Sequence, residues 1–357
     1  MNAPLNIRDF MDLANRFPVI DVRSPGEFKA GHMPFASNIP LFTDEERAKV
    51  GTIYKEVGRE KAIEVGYEIV NPKRSRILST VKKLIELTPN TGDKTPGTVL
   101  VHCWRGGMRS ERFANFLNDN GYRTHTLVNG YKSYRRFVIN SFETKRNIIL
   151  LGGETGSGKT EILKKIKNKG ENVVDLESLA NHKGSAFGSL GENPQPTQEQ
   201  FENNLSQEFS RIGPEEKMIW LEDEARTIGF CHLPNPLWES MKSAPIIRVN
   251  IPKKERIERL VLDYGNYSKE ALSSCILKIQ KRLGPQHAKQ ALEELETGNL
   301  GSVADITLTY YDKAYNYNHE MRAFKDVHVL ECQNSNVDLN AEKVLDFAKQ
   351  INLNVDV

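Results

Sequence analysis

"VLVHCWRGGMRSER", residues 99–112, is a β-favouring run that ends in a cysteine, two glycines, two arginines and the start of a helical pattern. In an open α/β sheet, function collects at the carboxyl ends of strands, and Cys103 sits at such an end. The N–H groups of residues 104 to 109 can curl around one point and form an anion-binding concavity. The positive end of the following helix points at the same place. Gly106 and Gly107 permit the backbone angles this needs, and Arg105 and Arg109 add charge. All of these favour thiolate over thiol, so the cysteine is expected to have a depressed pKa and raised nucleophilicity. The plain alternative is a buried cysteine before an ordinary glycine turn.

Working outward, Val19–Val22 reads as a short strand and Ala36–Leu41 as a second apolar run. Thr43 with Glu46 makes a capping box, which predicts a helix from Asp44 to about Glu64. Residues 74–87 carry Ile77, Val81, Leu84 and Ile85 at helical spacing. A loop over 89–97 precedes a strand at Thr98–His102. A helix follows over Glu111–Asn118, then a strand over 124–131 that ends in Asn-Gly. This alternation predicts a parallel or mostly parallel sheet.

The pattern restarts after "VINSFETKRN" (138–147), the expected joint between a domain at 1–140 and a second at 145–357. Strands are expected at 147–153, 172–177, 217–224 and 245–251. Helices are expected at 253–265 and 269–284, while 305–318 is ambiguous. The whole reads as two successive α/β domains.

"GGETGSGKT" (152–160) lies between the "IILL" strand and a helix carrying Ile162, Leu163 and Ile166. Gly153 to Thr160 fits G-x-x-x-x-G-K-[ST] in the required strand–loop–helix context. Gly153, Gly156, Ser157 and Gly158 would wrap a diphosphate with their N–H groups. Lys159 would neutralise its terminal oxygens and Thr160 would ligate Mg²⁺ where one is bound. "MIWLEDEAR" (218–226) is a buried strand ending in acids. Asp223 or Glu224 is a candidate to hold Mg²⁺ through water or to act as a base, against the alternative of a simple capping carboxylate.

The glycine-rich connection 181–201 reads as a substrate loop with His182, Lys183 and Ser185 as weak candidates. Arg256 and Arg259, at i and i+3, either reach phosphates or line a solvated face. Tyr310, Tyr311, Tyr315 and Tyr317, with Lys313 and His319, could stack on bases, though helical packing accounts for them more simply.

"DVRSPGEFKAGHMPFASNIP" followed by "VHCWRGGMRS" resembles a rhodanese-type sulfurtransferase domain over roughly residues 8–138. One departure matters. Common rhodanese loops run C-x4-R, whereas Cys103 to Arg109 is C-x5-R, the spacing of the related cysteine-dependent phosphatases. The loop is therefore expected to admit a group larger than one sulfur atom. Nearly the whole chain is similar to the tRNA 2-selenouridine synthase family, a rhodanese domain fused to a P-loop domain. "CWRGGMRS", "GGETGSGKTE", "LESLANHKGSAFG", "FENNL" and "WLEDEARTIG" carry that likeness.

The resemblance implies a transferase that replaces the sulfur of wobble 2-thiouridine in tRNA with selenium. Geranyl diphosphate and selenophosphate would be co-substrates and S-geranyl-2-thiouridine the intermediate. From the chemistry of its loop, Cys103 is expected to attack or hold the selenium of selenophosphate. Arg109 and the loop of Trp104, Arg105, Gly106, Gly107, Met108 and Ser110 would bind the phosphate moiety. A selenophosphate-supplying enzyme is a candidate partner. The rival readings are an NTP-dependent kinase or NTPase with a rhodanese domain, a persulfide sulfurtransferase, and an RNA-binding module that uses both loops as phosphate clamps.

Composition narrows less. Lys and Arg (49) exceed Asp and Glu (47) by two, so net charge makes no case for a nucleic-acid partner. The four cysteines, Cys103, Cys231, Cys275 and Cys332, form no C-x-x-C pair, and no zinc site is expected. No membrane span or signal peptide is recognisable, which leads to the expectation of a cytoplasmic protein.

Overall fold

The computed structural model describes residues 3–88, 97–213, 218–322 and 326–351. The chain divides into two compact units, Met1–Ser141 and Phe142–Val357.

The first unit is built on a four-stranded sheet of β1 (Val19–Asp21), β2 (Ala36–Asn38), β3 (Thr98–His102) and β4 (Arg123–Thr126). The order is β2-β1-β3-β4 and every pairing is parallel. β3 is an interior strand buried along its whole length, which is why "TVLVH" does not alternate with polar residues. Its Val99 and Val101 pack with Ile20, Val22, Phe113 and Leu117. Phe113 and Leu117 lie one helical turn apart on the helix Met108–Asp119. Burying each such side chain stabilises the fold by about 1.5–3 kcal/mol. That packing anchors the helix whose N-terminus closes the cysteine loop.

Three expectations need correction in this unit. The helix predicted over 44–64 is two helices, Asp44–Glu56 and Arg59–Val70. The Thr43–Glu46 capping box is present, but Gly58 between the helices takes φ +121°, which no helix continues through. The helix expected from Glu111 begins at Met108, with Gly107 as its N-cap. The strand expected to run to Tyr131 stops at Thr126, because Asn129 and Gly130 both have positive φ and start the helix Gly130–Ser141. The loop expected over 89–97 falls, apart from Gly97, outside the described residues.

The second unit has a five-stranded parallel sheet of order β11-β10-β5-β7-β6. The strands are β5 (Ile148–Gly152), β6 (Asn172–Val173), β7 (Ile219–Glu222), β10 (Ile246–Asn250) and β11 (Val327–Glu331). β8 (Thr227–Ile228) and β9 (Cys231–His232) form a separate antiparallel ribbon. Ile149, Leu151, Trp220, Ile247 and Val249 from the sheet pack with Ile162, Leu163 and Ile166 of the helix Lys159–Asn168. A second apolar cluster lies among the helices Lys253–Tyr264, Lys269–Leu283, Pro285–Thr297 and Leu300–Arg322.

Residues 172–177 are not one strand. The strand ends at Val173, and Asp175 N-caps the helix Leu176–Ala180 by accepting from the Ser178 N–H. The ambiguous stretch 305–318 is interior to the helix Leu300–Arg322. Among the described residues no helix is long and apolar enough to cross a membrane.

Candidate functional sites

In the first unit, the cysteine loop leaves the end of β3. Cys103 is only 3% exposed, and its Sγ lies 3.2 Å from Ser110 Oγ and 3.9 Å from the Gly107 carbonyl. The Ser110 hydroxyl also reaches Gly107 O at 3.0 Å. Gly106, at φ +61°, makes the left-handed turn that lets the loop close. A Cβ there would fall 2.3 Å from Leu127 O, so only glycine fits. Gly130 supports the loop from the next strand end: a Cβ on it would sit 2.2 Å from Cys103 O and 2.4 Å from Gly106 N. Tyr131 N–H and Lys132 N–H donate to the carbonyls of Cys103 and Trp104, which ties the loop to the helix Gly130–Ser141.

Trp104 and Arg105 are exposed on the loop, and Met108 and Arg109 are part-buried. Arg109 is already paired: Nη1 lies 2.7 Å from Glu27 Oε2 and Nη2 3.3 Å from Oε1. Burial works against the Glu27 charge, yet the Arg109 hydrogen bonds hold its carboxyl below the usual range. Beneath the loop, Arg23 is fully buried. It donates to Asp21 and to the Gly31 carbonyl and lies 3.8 Å over the Tyr131 ring. Tyr131 in turn packs against Trp104.

In the second unit, the phosphate loop follows β5 at the centre of the sheet. Gly156 and Gly158 take φ +82° and +77°, and the helix begins at Lys159. The Lys159 ammonium folds back onto the Gly153 carbonyl at 2.8 Å. The Gly153 N–H donates to Tyr315 Oη at 2.9 Å, and the Tyr315 hydroxyl donates to Asp223 at 3.1 Å. Ser157 Oγ is buried and has no hydrogen-bond partner among the described residues. A cleft of about 410 Å³ opens over the loop. Lys159, Lys183, Arg259 and Arg282 bring positive charge to it, and Glu177, Asp223 and Glu224 bring negative charge.

The acids are crowded. Burial, and then the charge of Glu177, push Glu224 up to about 8. Burial, with the charges of Asp175, Glu177 and Glu224, raises Glu222 well above the carboxylate range. Glu222 also accepts from the Leu176 and Glu177 N–H groups, so it serves the start of that helix. Thr160 donates to Glu177 at 2.8 Å. Among the described residues no cluster of three metal-ligating side chains is preassembled. The donor set of one hydroxyl and repelling carboxylates suits Mg²⁺, which keeps waters and takes phosphate oxygens as ligands.

The structure separates the weaker candidates. Arg256 neither lines a solvated face nor reaches into the cleft. It is 3% exposed and braces the loop through Glu154 (2.9 Å), Asp312 (2.9 and 3.0 Å) and the Thr155 carbonyl (3.1 Å). Arg259 lines the cleft and pairs with Glu161. Lys183 and Ser185 line the cleft, while His182 is part-buried with burial lowering its pKa. Tyr310, Tyr311 and Tyr315 line it too, whereas Tyr317 is 61% exposed and Lys313 is exposed. The side chain of His319 lies outside the described residues.

Glu27, Gly130, Glu177 and Arg282 gained their places only through the fold, and Tyr315, expected to stack on bases or pack in a helix, instead sets its hydroxyl between Gly153 and Asp223. The Asn129-Gly130 dipeptide was the one local signal for the turn under Cys103.

A family model described as the tRNA 2-selenouridine synthase AAA domain matches residues 146–343, more than half of the chain. The chain belongs to the tRNA 2-selenouridine synthase family. A rhodanese-like domain model matches residues 7–137, so Cys103 falls in the rhodanese-like part and Gly153–Thr160 in the AAA part. The chain is similar to the tRNA 2-selenouridine synthases of Psychromonas ingrahamii (33% identity, 86% of this chain and 89% of that one) and Marinobacter nauticus (35%, 87% and 90%). It is likewise similar to that of Aeromonas salmonicida (35%, 86% and 89%). This family's two-domain architecture, rhodanese-like then P-loop, is the one the two parallel sheets display.

Proposed function

We propose that the protein converts 2-thiouridine at the wobble position of tRNA to 2-selenouridine in the cytoplasm, through an S-geranyl intermediate. Geranyl diphosphate and selenophosphate are its co-substrates. The observation that carries the reading is the pairing, on one chain of this family, of a strand-end cysteine loop with a G-x-x-x-x-G-K-T loop between strand and helix.

A thiocarbonyl sulfur is a poor leaving group. In the first reaction that sulfur attacks C1 of geranyl diphosphate, the C–O bond breaks and diphosphate departs. Lys159, released from the Gly153 carbonyl, and the loop N–H groups take up the developing charge. Mg²⁺, where bound by Thr160 with Asp223 or Glu224, would supply further neutralisation of the diphosphate.

In the second reaction, selenium of selenophosphate attacks C2 of the S-geranyl base and the geranyl thiolate leaves. Water then cleaves the P–Se bond, giving phosphate and 2-selenouridine. Cys103 holds the selenium end while Arg109 and the loop N–H groups hold the phosphate oxygens. Attack of Cys103 on selenium would instead send an electron pair off with phosphorus and release phosphite. Holding is therefore the role that balances.

Mass spectrometry of thiolated tRNA incubated with enzyme and both donors, each omitted in turn, tests the proposal. S-geranyl-tRNA without selenophosphate, and selenated tRNA only with both, are expected. NTP turnover with no use of geranyl diphosphate would favour a kinase or NTPase. Thiosulfate-dependent sulfur transfer would favour a sulfurtransferase. Bound tRNA with no product would favour a clamp.

A further inference from the structure

Beside the phosphate cleft lies a second, apolar cavity of about 60 Å³. By the same measure one water needs roughly 10–15 Å³, so this is room for a short chain rather than a packing flaw. Leu260, Val261, Leu272, Leu300, Val303 and Leu308 form much of its wall. Three of the hydroxyls that line it have partners within the protein. Thr307 donates to carbonyls of its own helix, Ser185 Oγ accepts from the Phe187 N–H, and Tyr311 Oη accepts from the Ala186 N–H. A ligand group there meets hydrocarbon and aromatic surface. The cavity and the phosphate cleft share Thr155, Ser185, Leu260, Tyr264 and Tyr311, so the two adjoin.

A site that is cationic and N–H-lined at one end and apolar and small at the other fits a diphosphate ester of a short hydrocarbon chain. We propose that this slot, between the helices Lys253–Tyr264, Lys269–Leu283 and Leu300–Arg322, holds the prenyl tail of the diphosphate co-substrate and sets its chain length. The inference rests on the geranyl diphosphate reading given above and adds the tail's location. A nucleoside triphosphate would place a polar sugar and a ring system at the same opening, against a wall that is mostly hydrocarbon.

Ala304 and Leu272 line the slot and not the phosphate cleft, so they test the tail site alone. Calorimetric titration with inorganic pyrophosphate and with geranyl diphosphate gives the tail's contribution as a ratio of affinities. Wild type should prefer the ester by about 100-fold, as expected for burial of several carbons. Ala304→Phe should cut that preference at least about tenfold and leave pyrophosphate affinity unchanged. Leu272→Ala should shift preference toward the fifteen-carbon diphosphate.

If wild type binds neither ligand, the phosphate-loop reading itself fails. If it binds both equally, there is no tail site and the proposal is overturned. A wild-type preference that survives in both variants places the tail elsewhere and overturns it too. Should Ala304→Phe lose pyrophosphate binding through misfolding, the Leu272→Ala chain-length profile decides alone.

Discussion

Glu27 reaches Arg109 from 82 positions away in the chain and grips both of its terminal nitrogens. A guanidinium fork held this way is aimed before any anion arrives, which is where a bidentate pair differs from a point charge. An anion in the cysteine loop would meet a cation whose orientation is already fixed.

Glu27→Ala should therefore slow selenium transfer by about 10²-fold, the scale of a misaimed catalytic group. The loss should fall on kcat more than KM, because the Arg109 charge remains. Geranylation should be unchanged. Single-turnover selenation of pre-geranylated tRNA measures this, and a wild-type rate would remove Glu27 from the account.

The two loops should separate by mutation. Cys103→Ala is expected to abolish selenation and spare S-geranyl-tRNA formation. Lys159→Ala should lower geranylation by at least about 10²-fold, the cost of losing one preorganised charge on a leaving group. Selenation of pre-geranylated tRNA should survive the Lys159 change. Product analysis of each half-reaction checks both, and either variant that blocks both halves equally contradicts the division.

Gly130→Ala should disrupt the cysteine loop from behind. Its Cβ would lie 2.2 Å from the Cys103 carbonyl, and φ +52° is unfavourable for alanine in any case. The left-handed conformation alone costs about 1–3 kcal/mol, and the clash adds to it. Loss of selenation with retained pyrophosphate binding is expected in calorimetry and activity assays. Wild-type selenation would show that the turn does not support the loop.

Glu224 makes stability depend on pH. Burial and Glu177 raise it from 4.5 to about 8, so the native state binds this proton more tightly than the unfolded chain. Its stabilising contribution is fully present below pH 4.5 and is lost as pH rises through about 8. Glu224→Gln stays neutral throughout and should flatten the melting temperature across that window. At the alkaline end it should melt higher than wild type, by about 2–4 °C per kcal/mol of relieved repulsion. A scanning-calorimetry series over pH measures it, and parallel curves for the two proteins would refute the assignment.

The sequence alone determined the elements whose signals are local. β3 and β5 were legible as uninterrupted apolar runs because interior parallel strands are covered on both faces. The two anion loops stood out because phosphate-sized concavities need glycines and N–H groups at fixed short spacing, which is a contiguous pattern. The cap at Thr43 was readable for the same reason. The break at Gly58 and the end of β4 were misread because one glycine, or one Asn-Gly pair, competes with strong neighbouring periodicity, and only the backbone angle settles it.

Tertiary structure alone decided what the loops face. Glu27 meets Arg109, Glu177 meets Thr160, and Tyr315 joins Gly153, 162 positions away, to Asp223, 92 positions away. Arg256 and Arg259 share one helix and similar local surroundings, yet one is a buried brace and the other lines the cleft. Spacing along a chain reports which residues lie on one face of one element. It carries no information about which distant element that face will meet, and charge pairing and burial are set by that meeting.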